Sequence, residues 1–175
     1  MRKLNFKDIF IPTVSLFIIC LIITAALAVT NHITAPKIAQ NDALSQQESM
    51  KIVCPDAESF ELLTENENGT IFKGLNDSGD IVGYAVSTLS SGYGGQIKVM
   101  TGIDTQGNII NVDVYYNDDE TPGLGKNTSN EDFTSRFKGL TASDSIVVDK
   151  DYAGEGQKVD AVTSSTISSR AVIDA

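Results

Sequence analysis

Hydrophobic and polar positions alternate with period two through the middle of the chain, in residues 96–104 and 109–116. Such alternation is typical of antiparallel strands with one covered face. The pattern places Val112 and Val114 on the same face as Ile110. Four further runs are also predicted as strands, at residues 70–75, 81–88, 146–148 and 159–162.

Two later segments follow a helical pattern instead. Residues 130–139 place Phe133 and Phe137 one helical turn apart, and a last helix begins near Ser164. Strands in the middle of the chain with helices around them favour an α+β domain. We therefore predict one mostly antiparallel sheet with helices packed on it.

The N-terminal region is apolar almost without interruption from Ile9 to Val29. About 20 apolar residues suffice to span a bilayer, so the run predicts a single transmembrane helix. Three basic residues precede the run, at positions 2, 3 and 7. They favour a cytoplasmic N-terminus and an extracytoplasmic main domain. A cleaved signal peptide is the alternative, because Ala26-Leu27-Ala28 fits a small-x-small cleavage site.

A helical stalk is predicted after the membrane span. Residues 35–53 carry a loose apolar stripe, Pro36 suits a first helical turn, and Cys54-Pro55-Asp56 ends the segment. The predicted organisation is a tail, an anchor, a stalk and one domain, at residues 1–8, 9–29, 30–55 and 56–175.

Charge and composition exclude several function classes. The chain has 13 basic and 23 acidic residues, and the first 29 residues hold three basic and one acidic. Residues 30–175 therefore carry ten basic and 22 acidic residues, a net charge of −12. Such an acidic domain repels nucleic acid. One histidine and two widely separated cysteines give no pattern for zinc, haem, an iron–sulfur cluster or a Ser-His-Asp triad.

The C-terminal segment Asp160–Ala175 combines a hydroxyl-rich turn with the start of a helix. Backbone N–H groups at a helix N-terminus favour a phosphate. The alternative is an ordinary N-cap, in which Thr163 or Ser164 accepts hydrogen bonds from the first turn. The two interpretations are compatible, because a cap builds the anion site that a phosphodiester would use.

The segment Glu120-Thr-Pro-Gly-Leu-Gly125 is a second candidate for ligand binding. Its glycines allow the backbone to approach a flat ligand closely, although many Pro-Gly pairs are plain surface turns. A glycine cluster, Ser91-Gly-Tyr-Gly-Gly-Gln-Ile97, precedes the alternating strand. This cluster contains neither a dinucleotide fingerprint nor a phosphate-loop lysine.

These three segments, in this order, resemble the FMN-binding domain family. The C-terminal segment resembles its flavinylation sequence, with Asp160, Thr163 and Thr166 at the matching positions and Ser169-Arg-Ala-Val172 in the helix. The resemblance implies that FMN is esterified through its phosphate to Thr166. The commonest family version has Gly-Ala where this chain has Ser164-Ser165.

The resemblance also implies roles for the other site residues. Thr163, Ser164 and Ser165 would donate hydrogen bonds to the phosphate. Leu124, with Gly123 and Gly125, would pack against the isoalloxazine ring, and Glu120 and Thr121 would reach its polar edge or fix the loop. Tyr93 would stack on the ring or serve the loop structurally. Lys126 would favour the reduced flavin or be a solvated surface lysine.

Within the family, the chain resembles the G subunits of Rnf ion-translocating electron-transport complexes, with Thr34-Ala-Pro-Lys-Ile38 matching the region after the membrane. The implied function is an electron carrier, not an enzyme alone, in a ferredoxin:NAD oxidoreductase complex. The implied partners are membrane subunits, the lipid bilayer and a flavin transferase. The alternatives are a protein similar to the C subunit of a sodium-translocating NADH:quinone reductase, a stand-alone extracytoplasmic flavoprotein, and a non-redox binding module anchored in the membrane.

Overall fold

The computed structural model describes residues 6–154 and 156–175, with side chains from Ile9 onward. These residues belong to two compact units, residues 1–44 and 45–175. The predicted tail at residues 1–8 lies outside the described side chains, and its first five residues lie outside the described residues. The four-part division of the chain stays a prediction.

The first helix, α1, extends over Phe6–Val53 and contains the predicted membrane span. Its apolar part has a mean hydropathy of 2.6 over an 18-residue window, and none of that window is buried. The helix is therefore long and apolar enough to cross a bilayer. The expected helix start near residue 35 is wrong, because Pro36 lies inside α1. The predicted end of the helix before Cys54 is confirmed.

The second unit contains a five-stranded antiparallel sheet in the order β1-β2-β3-β4-β5. Its strands are β1 Ser59–Asn66, β2 Gly69–Leu75, β3 Ile81–Ser91, β4 Gln96–Ile103 and β5 Ile109–Tyr116. The antiparallel sheet and four of its strands were predicted. The sequence did not predict β1, an edge strand whose Leu62 and Leu63 are both exposed. A β-bulge between Leu62 and Thr64 interrupts the alternation there.

Both faces of this sheet are covered, contrary to the expected single covered face. One core cluster packs Val112 of β5 with Ile97, Val99 and the C-terminal helix. The other packs Met100 and Ala85 against the end of α1, around Val53. Ile110 packs against this second cluster, so its predicted position beside Val112 is wrong. The pairing register shifts between Gly102 and Ile103, which reverses the alternation at Ile110.

The remaining elements are short. The predicted helix 130–139 is instead α2, Glu131–Thr134, followed by a 3-10 turn over Ser135–Phe137. Phe133 and Phe137 are buried and form an edge-to-face pair with ring centroids 5.4 Å apart. This pair anchors the segment to the sheet despite its irregular backbone.

Two short strands, β6 Ile146–Val148 and β7 Gln157–Val159, form a separate parallel pair. The predicted β6 is confirmed, whereas β7 ends where the predicted strand 159–162 begins. A 3-10 turn over Asp149–Asp151 follows β6. The last helix, α3, covers Thr166–Asp174, two residues later than the predicted start.

Candidate functional site

Three segments distant in sequence surround one cavity of about 590 Å³. They are the glycine-rich turn after β3, the loop that begins at Glu120, and the start of α3. The predicted convergence of these segments is therefore present. The lining residues are Tyr93, Glu120, Thr121, Leu124, Gly125, Ser164, Ser165, Thr166, Ile167 and Ser168.

Glu120 joins all three segments through its side chain, which is only 2% exposed. One carboxylate oxygen accepts a hydrogen bond from the backbone N–H of Gly94 at 3.0 Å. The other accepts from the hydroxyl of Ser168 at 2.7 Å. Buried carboxylates need such partners, because an unpaired polar group in the interior is costly. Glu120 therefore fixes the loop, which is one of the two roles expected for it.

Two glycines make room for this carboxylate. A Cβ at Gly92 or at Gly125 would run into the oxygen atoms of Glu120. At Gly125 the same Cβ would also approach the hydroxyl of Ser168 at 2.8 Å. Gly123 differs, because its φ of 77° requires glycine although its side-chain direction is open. The burial of Glu120 thus accounts for Gly92 and Gly125, whereas the backbone conformation accounts for Gly123.

The segment before α3 provides polar groups at the cavity wall. Ser164 adopts a left-handed backbone with φ 61°. Ser165 is the N-cap residue, and its side chain makes no capping hydrogen bond. The expected capping by Thr163 or Ser164 is therefore wrong. The buried hydroxyl of Ser165 has no hydrogen-bond partner among the described residues.

Thr166 is the first residue of α3 and lines the cavity. Its hydroxyl oxygen accepts a hydrogen bond from the ammonium group of Lys150 at 3.1 Å. The hydroxyl is thus placed at a helix N-terminus, beside a cation and the unpartnered Ser165. Each of these features favours an anion at this end of the cavity.

Apolar side chains form the rest of the wall. Leu124, Ile167 and Tyr93 are 41%, 52% and 71% exposed although they line the cavity. Exposed apolar groups around a concave surface are typical of ligand sites. The cavity therefore combines an anion-binding end with apolar walls, and its volume suits a ligand of cofactor size.

Three of the predicted site residues lie outside this cavity. Gly123 and Thr163 line a neighbouring cavity of about 390 Å³, together with Arg136. Lys126 donates a hydrogen bond to Asp118 at 3.3 Å, which agrees with the solvated-lysine alternative. Their contacts with a ligand stay predictions.

Sequence reasoning missed three residues at the site. Ser168 holds Glu120, Ile167 contributes to the apolar wall, and Lys150 contacts Thr166. Ile167 and Ser168 are the next two residues after Thr166. The helical pattern of α3 was the sequence signal that could have placed them at the site. No sequence pattern connects Lys150 with Thr166.

The described residues contain no cluster of three side chains able to hold a metal ion.

Two family models match the chain. Residues 92–175 match the FMN-binding domain, and residues 1–53 match the RnfG N-terminal region. The first match begins at the glycine-rich turn and contains all three cavity segments. FMN is accordingly the cofactor of this domain, and the orphaned Ser165 hydroxyl with the apolar walls fits its phosphate and ring.

Relatives of similar length extend the match to nearly the whole chain. The G subunit of the Na(+)-translocating ferredoxin:NAD(+) oxidoreductase complex of Acetobacterium woodii is 31% identical, over 97% of this chain and 89% of the relative. The G subunit of the ion-translocating oxidoreductase complex of Methanosarcina acetivorans is 33% identical, over 97% and 91%. The G subunit of the proton-translocating complex of Clostridium ljungdahlii is 31% identical, over 95% and 86%.

A solved structure shares the fold. The C subunit of the Na(+)-translocating NADH-quinone reductase of Parabacteroides distasonis superposes with a TM-score of 0.59 at 20% identity, over 77% of this chain and 88% of that chain.

The matched N-terminal region includes the apolar part of α1, so the chain is anchored in a membrane. The chain belongs to the family of G subunits of Rnf-type ion-translocating oxidoreductase complexes.

Proposed function

We propose that this chain is an electron-carrying subunit in which FMN is attached through a phosphoester to Thr166. The observation that carries the proposal is the position of the Thr166 hydroxyl. It lies at the N-terminus of α3, on the wall of the cavity, and within 3.1 Å of the Lys150 ammonium group. A phosphate joined to this oxygen meets a helix N-terminus, a cation and the unpartnered Ser165 hydroxyl.

The attachment uses a flavin transferase with FAD as the donor. Thr166 Oγ1 forms the new bond to the phosphorus of the FMN half of FAD. The anhydride bond of FAD breaks, and AMP leaves with the bridging oxygen. The hydroxyl proton passes to a base of the transferase. The domain itself holds the Thr166 hydroxyl at the start of α3 in a fixed orientation, which lowers the entropic cost of the reaction.

Once attached, FMN supplies the redox chemistry. The chain binds and orients it. Leu124 and Ile167 offer apolar surface, and Tyr93 adds an exposed aromatic face. Glu120 keeps the loop and α3 at a fixed separation through its two hydrogen bonds. A covalent tether also prevents loss of the cofactor by dilution outside the cytoplasm.

The setting of this function follows from family membership. The relatives are named as subunits of ferredoxin:NAD(+) oxidoreductase complexes that translocate sodium ions or protons. We place this chain in such a complex, with other membrane subunits and the bilayer as its partners. The basic residues before the apolar run favour a cytoplasmic N-terminus and an extracytoplasmic domain over residues 56–175.

Co-production with a flavin transferase tests the proposal. The wild-type chain should show a fluorescent flavin band on a denaturing gel, because a covalent link survives denaturation. Thr166→Ser keeps a hydroxyl and should retain the band, whereas Thr166→Ala should lose it. A fluorescent band in the alanine variant would contradict attachment at Thr166.

A further inference from the structure

Three consecutive residues after β6 contact three points of the segment that carries Thr166. The carboxylate of Asp149 accepts a hydrogen bond from the backbone N–H of Ala161 at 3.0 Å. The ammonium group of Lys150 donates to the Thr166 hydroxyl at 3.1 Å. The carboxylate of Asp151 accepts two hydrogen bonds from Arg170, at 2.5 and 2.6 Å. The 3-10 turn Asp149–Asp151 therefore holds the segment before, at and after Thr166.

The turn is anchored to the protein core. Val148 precedes it, and Val159 pairs with Val148 across the two parallel strands. Both valines are 1% exposed. The backbone that carries Lys150 therefore starts from a packed position, and the long lysine side chain extends from it to Thr166.

The two neighbours of Lys150 have their own partners. Arg170 makes a bidentate pair with Asp151, and its hydrogen bonds hold the pKa of Asp151 below the ordinary value. Asp149 accepts from a backbone amide. The lysine contact with the Thr166 oxygen is therefore the part of the turn that faces the predicted site of attachment.

We infer that Lys150 positions the Thr166 hydroxyl for modification and afterwards pairs with the phosphodiester charge. This inference rests on the proposed function, because it assigns a role at the same site. Attachment converts a neutral hydroxyl into an anionic phosphodiester. A cation that contacts the hydroxyl oxygen beforehand is within reach of the new charge without rearrangement.

The charge of the surrounding domain favours a cation beside the attachment site. Residues 30–175 have 22 acidic and ten basic residues. Asp149 and Asp151 lie directly beside Lys150 in sequence. An additional negative charge here is opposed by like charges unless a cation compensates. Because Lys150 is exposed, its contribution should weaken with salt.

The test measures the rate of modification and the stability of the product. Full-length wild type and the variants Lys150→Gln, Lys150→Arg and Lys158→Gln are incubated in detergent with purified flavin transferase and FAD, at low and high salt. Intact mass gives the modified fraction over time. Lys158 is a matched control, because it is also exposed and its loss changes the net charge equally.

We expect Lys150→Gln to be modified about tenfold more slowly than wild type at low salt. Lys150→Arg should stay within about threefold, because it retains a cationic donor. Lys158→Gln should match wild type. High salt should narrow the difference between wild type and Lys150→Gln.

The thermal midpoints of wild type and Lys150→Gln, each measured with and without the modification, report the pairing of Lys150 with the phosphodiester charge. The change in midpoint is the value for modified protein minus the value for unmodified protein. This change should be about 2 °C or more lower in Lys150→Gln than in wild type. A Lys150 that only supported the fold would lower both midpoints equally and leave this difference at zero.

Equal rates and equal midpoint differences in wild type and Lys150→Gln would overturn the role of Lys150 and leave attachment at Thr166 intact. If Lys150→Gln fails to fold, the modification rate of Lys150→Arg decides between the outcomes. A rate near that of wild type supports the inference, and a rate ten times slower overturns it. Failure of wild type itself, with a transferase active on another flavoprotein, would overturn the proposed function as well.

Discussion

The hydroxyl of Ser168 donates a hydrogen bond to the carboxylate of Glu120 at 2.7 Å, across 48 positions of the chain. Both residues are 2% exposed. The bond joins the loop after β5 to α3, and the same carboxylate also holds the glycine-rich turn through Gly94. One buried side chain therefore sets the distance between the two sides of the cavity.

Replacing Glu120 should open this connection. Glu120→Ala leaves the Gly94 N–H and the Ser168 hydroxyl without their acceptor, and we expect the free energy of unfolding to fall by about 2–4 kcal/mol. Glu120→Gln should cost much less, because its amide oxygen can accept from Gly94 and its amide nitrogen can donate to Ser168. Urea unfolding of both variants measures the difference. Equal losses would mean that the two hydrogen bonds do not hold the site together.

The glycines of the loop should differ in their tolerance of alanine. Gly125→Ala drives a Cβ into the Glu120 carboxylate, so we expect a loss of about 2–3 kcal/mol together with slower flavinylation. Gly123→Ala meets open space and carries only the strain of its positive φ, at about 1 kcal/mol. Urea unfolding and flavin fluorescence give both quantities. The order is contradicted if Gly123→Ala impairs flavinylation more than Gly125→Ala does.

Ser164 offers a stabilising substitution. Its φ of 61° lies in the left-handed region, which is costly for residues with a Cβ. Ser164→Gly should raise the free energy of unfolding by about 0.5–1 kcal/mol, since glycine adopts this conformation without strain. Thermal melting of the two proteins checks this, with Ser145→Gly in a negative-φ position as the control that should not stabilise. An unchanged or lower melting temperature for Ser164→Gly would argue against backbone strain at this position.

Cys54 should be unreactive in the folded protein. Burial raises the pKa of its thiol from 9.0 to about 11, and nearby Asp56 acts in the same direction. Because thiolate is the reactive form, alkylation by iodoacetamide at pH 8 should be at least about 100-fold slower in the native state than in urea. A Cys20→Ser background isolates the signal. Rapid alkylation of the native protein would show that Cys54 is accessible and ionised.

The raised pKa of Cys54 also determines how the free energy of unfolding changes with pH. The unfolded thiol ionises near pH 9, before the folded one does at about 11. The folded state therefore binds the proton more tightly, and the free energy of unfolding should fall as the pH rises from 9 to 11. Cys54→Ala should remove this part of the pH dependence. An identical slope in wild type and variant would assign the effect to other groups.

The sequence predicted the parts of the fold that depend on local pattern. Alternation identified β4 and β5, and two short motifs identified the loop and the helix start that line the cavity. Each of these signals lies within about ten residues, the range over which periodicity and turn chemistry act.

The rest depended on contacts between distant residues. β1 lacks regular alternation because it is an exposed, bulged edge strand. Ile110 changes face because of a register shift that involves β4. The contacts of Lys150 with Thr166 and of Ser168 with Glu120 join segments that only the folded sheet and the parallel β6–β7 pair bring together.

Peptide mapping of protein isolated from its native membrane tests the central claim most directly. Trypsin cuts after Lys158 and Arg170, so one peptide, Val159–Arg170, contains six hydroxyl residues: Thr163, Ser164, Ser165, Thr166, Ser168 and Ser169. Fragmentation in the mass spectrometer distinguishes these six hydroxyls. We predict the mass of one FMN less one water on Thr166. An unmodified Thr166, or FMN on one of the other five residues, would contradict the account.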